Sequence, residues 1–284
     1  MNIKQLIEKG TKELIEYNIV RPVQKTRMLL ANLLNKENEY LIIHLEENVE
    51  NTIENIFMEQ IQKLKQGYPI QYITNKQEFM KQDFFVNENV LIPQPDTEIL
   101  VEEVIEILKQ YKSSKEIKIL DLCTGSGAIG ISIAKYLENV VVTMVDISNK
   151  ALEIAKINAK NIGVIDRCDF IESDMFENIL NKKFDIIVSN PPYIKSDIIN
   201  QLDKEVQEEP IIALDGGKDG LDFYKIIAKQ ACNFLNNNGF LALEIGYDQK
   251  EEVIELLEAE KKYIDIYYKK DLSGNDRIVI CKLK

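Results

Sequence analysis

From residue 117 to residue 282 the chain alternates between short, β-branched apolar runs and amphipathic helical stretches. No other feature of the sequence restricts the fold as much. Strands are predicted at residues 117–122, 140–145, around Phe170 and Ile171, and at 184–189, 240–245, 263–268 and 277–282. Helices are predicted at 128–137, 150–161, 221–235 and 249–257, with Gly239 as the stop after the third. Alternation of this kind predicts a mostly parallel sheet with helices on both faces, a doubly wound seven-stranded α/β domain.

The front of the chain reads differently. Ile3, Leu6, Ile7, Leu14 and Ile15 recur at three- and four-residue spacing, as on one face of a helix. Met28, Leu29, Leu30, Leu33 and Leu34 form a second stripe, and Ile53, Ile56, Phe57, Ile61 and Leu64 a third. Gly67 and Pro69 are expected to end the last of these helices for good. Residues 1–75 are thus predicted to be a small all-α domain. Residues 76–95 are expected to be a β-hairpin linker turning around Asn87, Glu88 and Asn89. Residues 96–284 form the α/β domain. Between them, Pro93 to Glu98 is a stiff segment, with Asp96 or Thr97 capping the next helix.

The fourth predicted strand runs into Asn190-Pro191-Pro192-Tyr193. Two prolines give no ladder hydrogen bonds, so the strand must end there. The result is a stiff loop at the carboxyl end of a parallel strand, where open α/β sheets bind ligands. The Asn190 side-chain oxygen and the Pro191 carbonyl are two acceptors able to grip both hydrogens of an NH2 group. Tyr193 offers a ring face to a planar group. The plainer reading is a strand-terminating turn.

Between the first strand and its helix lies Asp121-Leu122-Cys123-Thr124-Gly125-Ser126-Gly127-Ala128-Ile129-Gly130. The glycines permit a tight turn and close approach of a ligand to backbone. The G-x-G-x-x-G pattern, with Asp146 closing the second strand to hold ribose hydroxyls, fits a dinucleotide. Asp121 argues otherwise. A pyrophosphate near it would face a like charge, costing roughly 4 kcal/mol at about 4 Å in a dielectric near ~20. A ligand with an ammonium group and no phosphate would be attracted, and S-adenosylmethionine is such a ligand.

Composition removes other classes. The net charge of −12 argues against a general nucleic-acid binder. The four cysteines, at 123, 168, 232 and 281, contain no C-x-x-C pair, and His44 is the single histidine, so neither a zinc site nor a disulfide framework is expected. The N-terminus has no signal-peptide apolar core, and no apolar run approaches the roughly 20 residues of a membrane helix. A cytoplasmic, reduced setting is the expectation, with no membrane contact.

The motifs at 121–130, 146 and 190–193 together resemble those of class I methyltransferases that alkylate a planar nitrogen. This group includes adenine amino-methyltransferases of DNA and protein-glutamine methyltransferases. Further stretches resemble the bacterial methyltransferases of peptide chain release factors: Gly67 to Ile73, Leu91 to Glu98, Glu209-Pro210 with Ala213-Leu214, Asp219 to Tyr224, and Asp271 to Arg277. The resemblance covers nearly the whole chain. It implies a Rossmann-like methyltransferase sheet and S-adenosylmethionine as donor. The substrate it implies is the glutamine in the Gly-Gly-Gln loop of class-one release factors, with residues 1–75 recognising that partner and no direct contact to nucleic acid. Asp121, Cys123, Thr124, Gly125, Ser126, Gly127, Asp146, Met175 and Asn190 would contact the donor. Asn190, Pro191, Pro192 and Tyr193 would hold the glutamine amide and carry catalysis. No metal is implied, and a monomer is expected. Two positions depart from the family pattern: Gln94 stands where arginine is expected, and Met175 where an aromatic residue is frequent beside the adenine. The rival readings are a DNA adenine methyltransferase, an NAD-dependent oxidoreductase and a non-catalytic release-factor or ribosome-associated binding protein.

Overall fold

The computed structural model describes residues 1–110 and 116–284. The chain divides into two compact units, Met1–Lys76 with Leu202–Glu208, and Gln77–Gln201 with Glu209–Lys284.

The first unit is helical. Helices α1 (Ile3–Glu16), α2 (Pro22–Leu34), α3 (Asn38–Ile43), α4 (Asn51–Lys65) and α5 (Ile70–Thr74) enclose one apolar cluster. A capping box starts α1: the Asn2 side chain accepts from Gln5 N at 2.8 Å, and Gln5 Oε1 accepts from Asn2 N at 3.0 Å. Leu6, Leu14, Leu29, Leu30, Phe57 and Ile61 are fully buried, whereas Ile15 and Ile56 of the predicted stripes are exposed. Gly10 lets α1 approach its neighbours closely, since a Cβ there would meet Phe57 Cζ at 2.9 Å. Gly67, at φ +95°, ends α4 as expected. Pro69 does not prevent a further helix; it sits extended at the N-cap of α5, because proline needs no N–H bond at a helix start. Leu202–Glu208, with the short helix at Lys204–Gln207, joins this unit, and Lys25 pairs there with Glu205. Nothing in sequence periodicity marked that insertion.

The second unit opens with a hairpin, β1 (Gln77–Phe79) and β2 (Gln82–Phe84). Its turn is Met80-Lys81, both at positive φ, and not residues 87–89. The two-residue turn matches strand twist, and the cluster of Phe79 and Phe84 against the core fixes the register. Residues 85–94 then run without regular structure to a 3-10 turn at Pro95–Thr97 and helix α6 (Glu98–Gln110). Strands and helices follow in the order β3 (Ile117–Leu122), α7 (Ala128–Tyr136), β4 (Val140–Asp146), α8 (Asn149–Ile162), β5 (Cys168–Glu172) and β6 (Phe184–Ser189). After the short α9 (Lys204–Gln207) and α10 (Ile211–Leu214) come α11 (Asp222–Gln230), β7 (Leu235–Glu244), α12 (Lys250–Ala259), β8 (Tyr263–Lys270) and β9 (Asp276–Leu283).

The helix predicted at 221–235 is shorter than expected. It ends near Gln230, and β7 begins at Leu235, so Gly239 lies inside the strand. The polar run Asn236-Asn237-Asn238 bulges out between Leu235, paired to Phe184, and Phe240, paired to Ile186. Asn238 takes positive φ there, and Gly239 passes close to Asp185 O.

The seven strands order as β5-β4-β3-β6-β7-β9-β8. The first five are parallel; β9 is antiparallel to both neighbours. Alternate residues of each central strand face two separate cores. Ile119, Ile186 and Val188 pack with α6, α7 and α8, while Leu120, Leu122 and Ile187 pack with α11 and α12. The chain runs outward from β3 in one direction and from β6 in the other. Their junction is the switch point where such sheets open a crevice.

Candidate active site

The crevice follows from register. Leu122 and Ser189, the last residues of β3 and β6, are directly paired, and the Ser189 hydroxyl donates to Leu122 O at 2.7 Å. The loops leaving these two strands therefore start side by side. They border one cavity of about 500 Å³, within the second unit, of a size common for small-molecule sites.

The glycine loop forms one wall. Cys123, Thr124, Gly125, Ser126, Asp146, Met175 and Asn190 all border the cavity. Gly125 has φ +53°, and a Cβ there would meet nothing within 4 Å, so the backbone itself faces open space. Gly125 N donates to Asp146 Oδ2 at 2.8 Å, and Ser148 N to Asp146 Oδ1 at 2.9 Å. Burial raises the Asp146 pKa, against the lowering effect of these amides. Gly127 does not border the cavity; at φ +82° it packs under α7, where a Cβ would strike Ile131. Cys123 Sγ lies 3.9 Å from Met175 Sδ, giving a soft apolar wall, and burial pushes the Cys123 thiol well up, so it stays protonated. Met175 borders the cavity, and thioethers pack well on ring faces. Gln94 also borders the cavity, with Nε2 donating to Ile92 O at 3.0 Å.

Asp121 departs from expectation. It is fully buried behind the loop and does not border the cavity. Its Oδ2 accepts from Thr124 Oγ1 at 2.6 Å and Gly130 N at 2.9 Å. Burial raises its pKa to about 7, with those two bonds pulling the other way. The strand end carries Asp121 inward beneath the turn, so the side chain shapes the loop rather than facing a ligand directly. Its Oδ1 is buried with no hydrogen-bond partner.

In the second loop, Asn190 and Pro192 border the cavity; Pro191 and Tyr193 do not. Pro191 is buried, and the Tyr193 ring packs into the core beneath α11, its hydroxyl 3.5 Å from Glu244 Oε1. The resemblance implies that both hold the amide; they stand next to Asn190 and Pro192, which form the cavity wall. The loop is held from behind at several points. Gln249 Nε2 donates to Tyr193 O at 3.0 Å and Gly220 O at 3.1 Å, and Gln249 Oε1 accepts from Gly246 N. Gly216 N donates to Ile194 O at 2.8 Å. Asn190 Nδ2 donates to Thr97 Oγ1 at 3.3 Å.

Sequence reasoning missed several of these supports. Asn158 clamps the Phe85 backbone through both its amide atoms and also donates to Ser126 O, binding the segment after the hairpin to the glycine loop. Glu209 accepts from Ile92 N at 2.8 Å, and burial raises its pKa to about 7. Glu244 is buried at the end of β7, its pKa raised to about 7 by burial against the lowering effect of Thr97 and Arg277. A charged residue inside the apolar run 240–245 was the one available signal. Among the described residues, no group of His, Cys, Asp or Glu is placed to hold a metal, and no helix is long and apolar enough to cross a membrane.

Comparison with known proteins agrees with this geometry. Residues 96–213 match the methyltransferase small domain and residues 5–74 the PrmC N-terminal domain. A methyltransferase from Pyrococcus furiosus has the same fold, at 19% identity and TM-score 0.52, over 79% of this chain and 98% of that one. The protein is a methyltransferase. The release factor glutamine methyltransferase of Clostridium acetobutylicum is 43% identical over 99% of this chain and 98% of its own length. That of Moorella thermoacetica is 38% identical, over 98% and 97%. The chain belongs to the release factor glutamine methyltransferase family, and its methyl donor is S-adenosylmethionine. The residues present fit that donor: an open glycine backbone, the Asp146 carboxylate and a sulfur-lined apolar wall.

Proposed function

We propose that this enzyme methylates the side-chain amide nitrogen of the glutamine in the Gly-Gly-Gln loop of class-one peptide chain release factors. The observation that carries the reading is the Leu122–Ser189 pairing, which brings the glycine loop and Asn190 to one cavity. Names of full-length relatives support the choice of protein substrate. A DNA adenine methyltransferase would share the Asn190 loop, but the −12 net charge offers poor attraction to phosphate.

The donor, when bound, supplies a methyl group made electrophilic by its sulfonium. Cys123, Gly125, Asp146 and Met175 would hold it, with Thr124 and Ser126 forming the turn. An amide nitrogen is a poor nucleophile because its lone pair is delocalised into the carbonyl. In this reading Asn190 Oδ1 accepts a hydrogen bond from the glutamine NH2, holds the nitrogen in line and offsets the positive charge that develops on it. Pro192 forms part of the wall, while Pro191 and Tyr193 keep Asn190 in place. No strong base is required, since the methylated nitrogen loses its proton readily to water. The helical unit, with Ile15, Tyr17, Val20 and Val23 exposed, is the part we assign to docking on the release factor away from the glutamine loop.

The test is mass spectrometry of a release factor incubated with the enzyme and donor. The expected result is one added methyl group on the loop glutamine, with Asn190→Ala retaining donor affinity but losing most turnover. Full methylation by Asn190→Ala would sink its assignment; methylation of DNA in place of the protein would sink the function.

A further inference from the structure

Residues 91–94 run along the cavity outside any strand or helix. Leu91, Pro93 and Gln94 border the cavity, whereas Ile92 is 5% exposed and does not. A buried backbone group away from a sheet ladder must find its partner elsewhere. Both polar groups of Ile92 find one in a side chain. Ile92 N donates to Glu209 Oε2 at 2.8 Å, and Ile92 O accepts from Gln94 Nε2 at 3.0 Å. The carboxylate thus does for this segment what a neighbouring strand would do.

Glu209 is itself buried and does not border the cavity. The residues that follow it do: Pro210, Ile212 and Ala213 form a second part of the wall. This second part is anchored at its other end to the Asn190 loop. Ile194 N donates to Leu214 O at 2.9 Å, and Gly216 N donates to Ile194 O at 2.8 Å. The Asn190 loop returns to the first part, since Asn190 Nδ2 donates to Thr97 Oγ1 at 3.3 Å. Three segments, 91–97, 209–216 and 190–194, therefore close into a ring, each pinned to the next by a hydrogen bond. The ring borders the cavity with residues other than Cys123, Gly125, Asp146 and Met175, which are assigned to the donor above. Glu209 makes the joint between its first two segments.

We infer that Glu209 is a positioning residue which, by accepting from Ile92 N, holds the Leu91–Gln94 wall and the Pro210–Ala213 wall at the spacing that orients the substrate amide beside Asn190. The inference rests on the function proposed above, in which that amide enters this cavity. Its requirement is an acceptor at the reach of a glutamate side chain, and charge at the position is not needed.

The test uses the full chain with Glu209→Gln, Glu209→Asp and Glu209→Ala. Steady-state kinetics on release factor, donor affinity by calorimetry, the unfolding midpoint and hydrogen exchange at the Ile92 amide are measured together. Glu209→Gln keeps an acceptor at the same reach, so kcat/KM for release factor should stay within about threefold of wild type. Glu209→Asp is shorter by one methylene and Glu209→Ala has no acceptor. Each should lower kcat/KM about 10- to 100-fold, because a displacement near ~1 Å can cost 10²-fold. Donor Kd should change by less than about twofold in all three. A merely structural glutamate would lower the unfolding midpoint and leave the kinetics of the folded fraction unchanged. Wild-type kcat/KM in Glu209→Asp would overturn the joint, as would an equal loss in Glu209→Gln or an equal loss of donor affinity. Glu209→Asp decides the matter even where Glu209→Ala loses its fold. The joint is also read without substrate. Slow exchange at the Ile92 amide in wild type and Glu209→Gln, with fast exchange in Glu209→Asp, supports it even where no release factor is methylated, an outcome that would overturn only the proposed function. Fast exchange at Ile92 in the wild type would overturn the joint alone.

Discussion

The hydroxyl of Ser189 donates to the carbonyl of Leu122 at 2.7 Å, across the junction from which the sheet winds in both directions. Both residues are fully buried. The bond ties together the last residues before the two loops that form the cavity. Ser189→Ala should therefore cost about 1–2 kcal/mol of stability in urea unfolding, together with a loss of turnover. An unchanged unfolding midpoint would show that the bond is not a tie.

Gly216→Ala tests how firmly the Asn190 loop is held. A Cβ at Gly216 would lie 2.7 Å from Tyr193 Cα and 2.9 Å from Pro192 O, and both are backbone atoms with no flexible end to move aside. The loop must shift as a whole. Turnover should fall by about tenfold or more, since a displacement near ~1 Å at a reacting centre can cost 10²-fold. Donor affinity, read by calorimetry, should change far less. Equal losses in both would place Gly216 in donor binding.

Glu209 supplies a pH signature of stability. Burial raises its pKa from 4.5 to about 7, against the lowering effect of Ile92 N. The folded protein binds this proton more tightly than the unfolded chain does. The contribution to stability is therefore present below the unfolded value of 4.5 and is lost as pH rises through about 7. Glu209→Gln keeps an acceptor for Ile92 N and never ionises. Relative to wild type, its melting temperature should rise between about pH 5 and about pH 8. A difference between variant and wild type that does not vary with pH would contradict the raised pKa.

The helical unit can be tested without disturbing the cavity. Val20 is 72% exposed and Val23 43%, so charge is tolerated at both without loss of core packing. If this surface docks the release factor, Val20→Glu with Val23→Glu should raise KM for the protein substrate about tenfold or more. Donor affinity and the melting temperature should stay unchanged. An unaltered KM would remove this surface from recognition.

The sheet, the helical front and both cavity loops were legible in the sequence because each depends on local periodicity or on a glycine or proline that breaks it. Register was not. Residues 87–89 looked like the hairpin turn, yet the turn formed at Met80-Lys81, where Phe79 and Phe84 could both reach the core. Gly239 looked like a helix stop, yet it lies inside β7, because pairing with β6 extends the strand back to Leu235.

The sequence by itself determined that a glycine turn and an Asn-Pro-Pro-Tyr loop would stand at the carboxyl ends of parallel strands. Strand order alone decided that they share a cavity, because β3 and β6 are distant in the chain and neighbours only in the sheet. Tertiary packing also decided which acids face solvent. By its sequence, Asp121 stood at a strand tip facing a ligand, and neither Glu209 nor Glu244 was marked as buried; burial in a low-dielectric interior brings each of the three to a pKa of about 7.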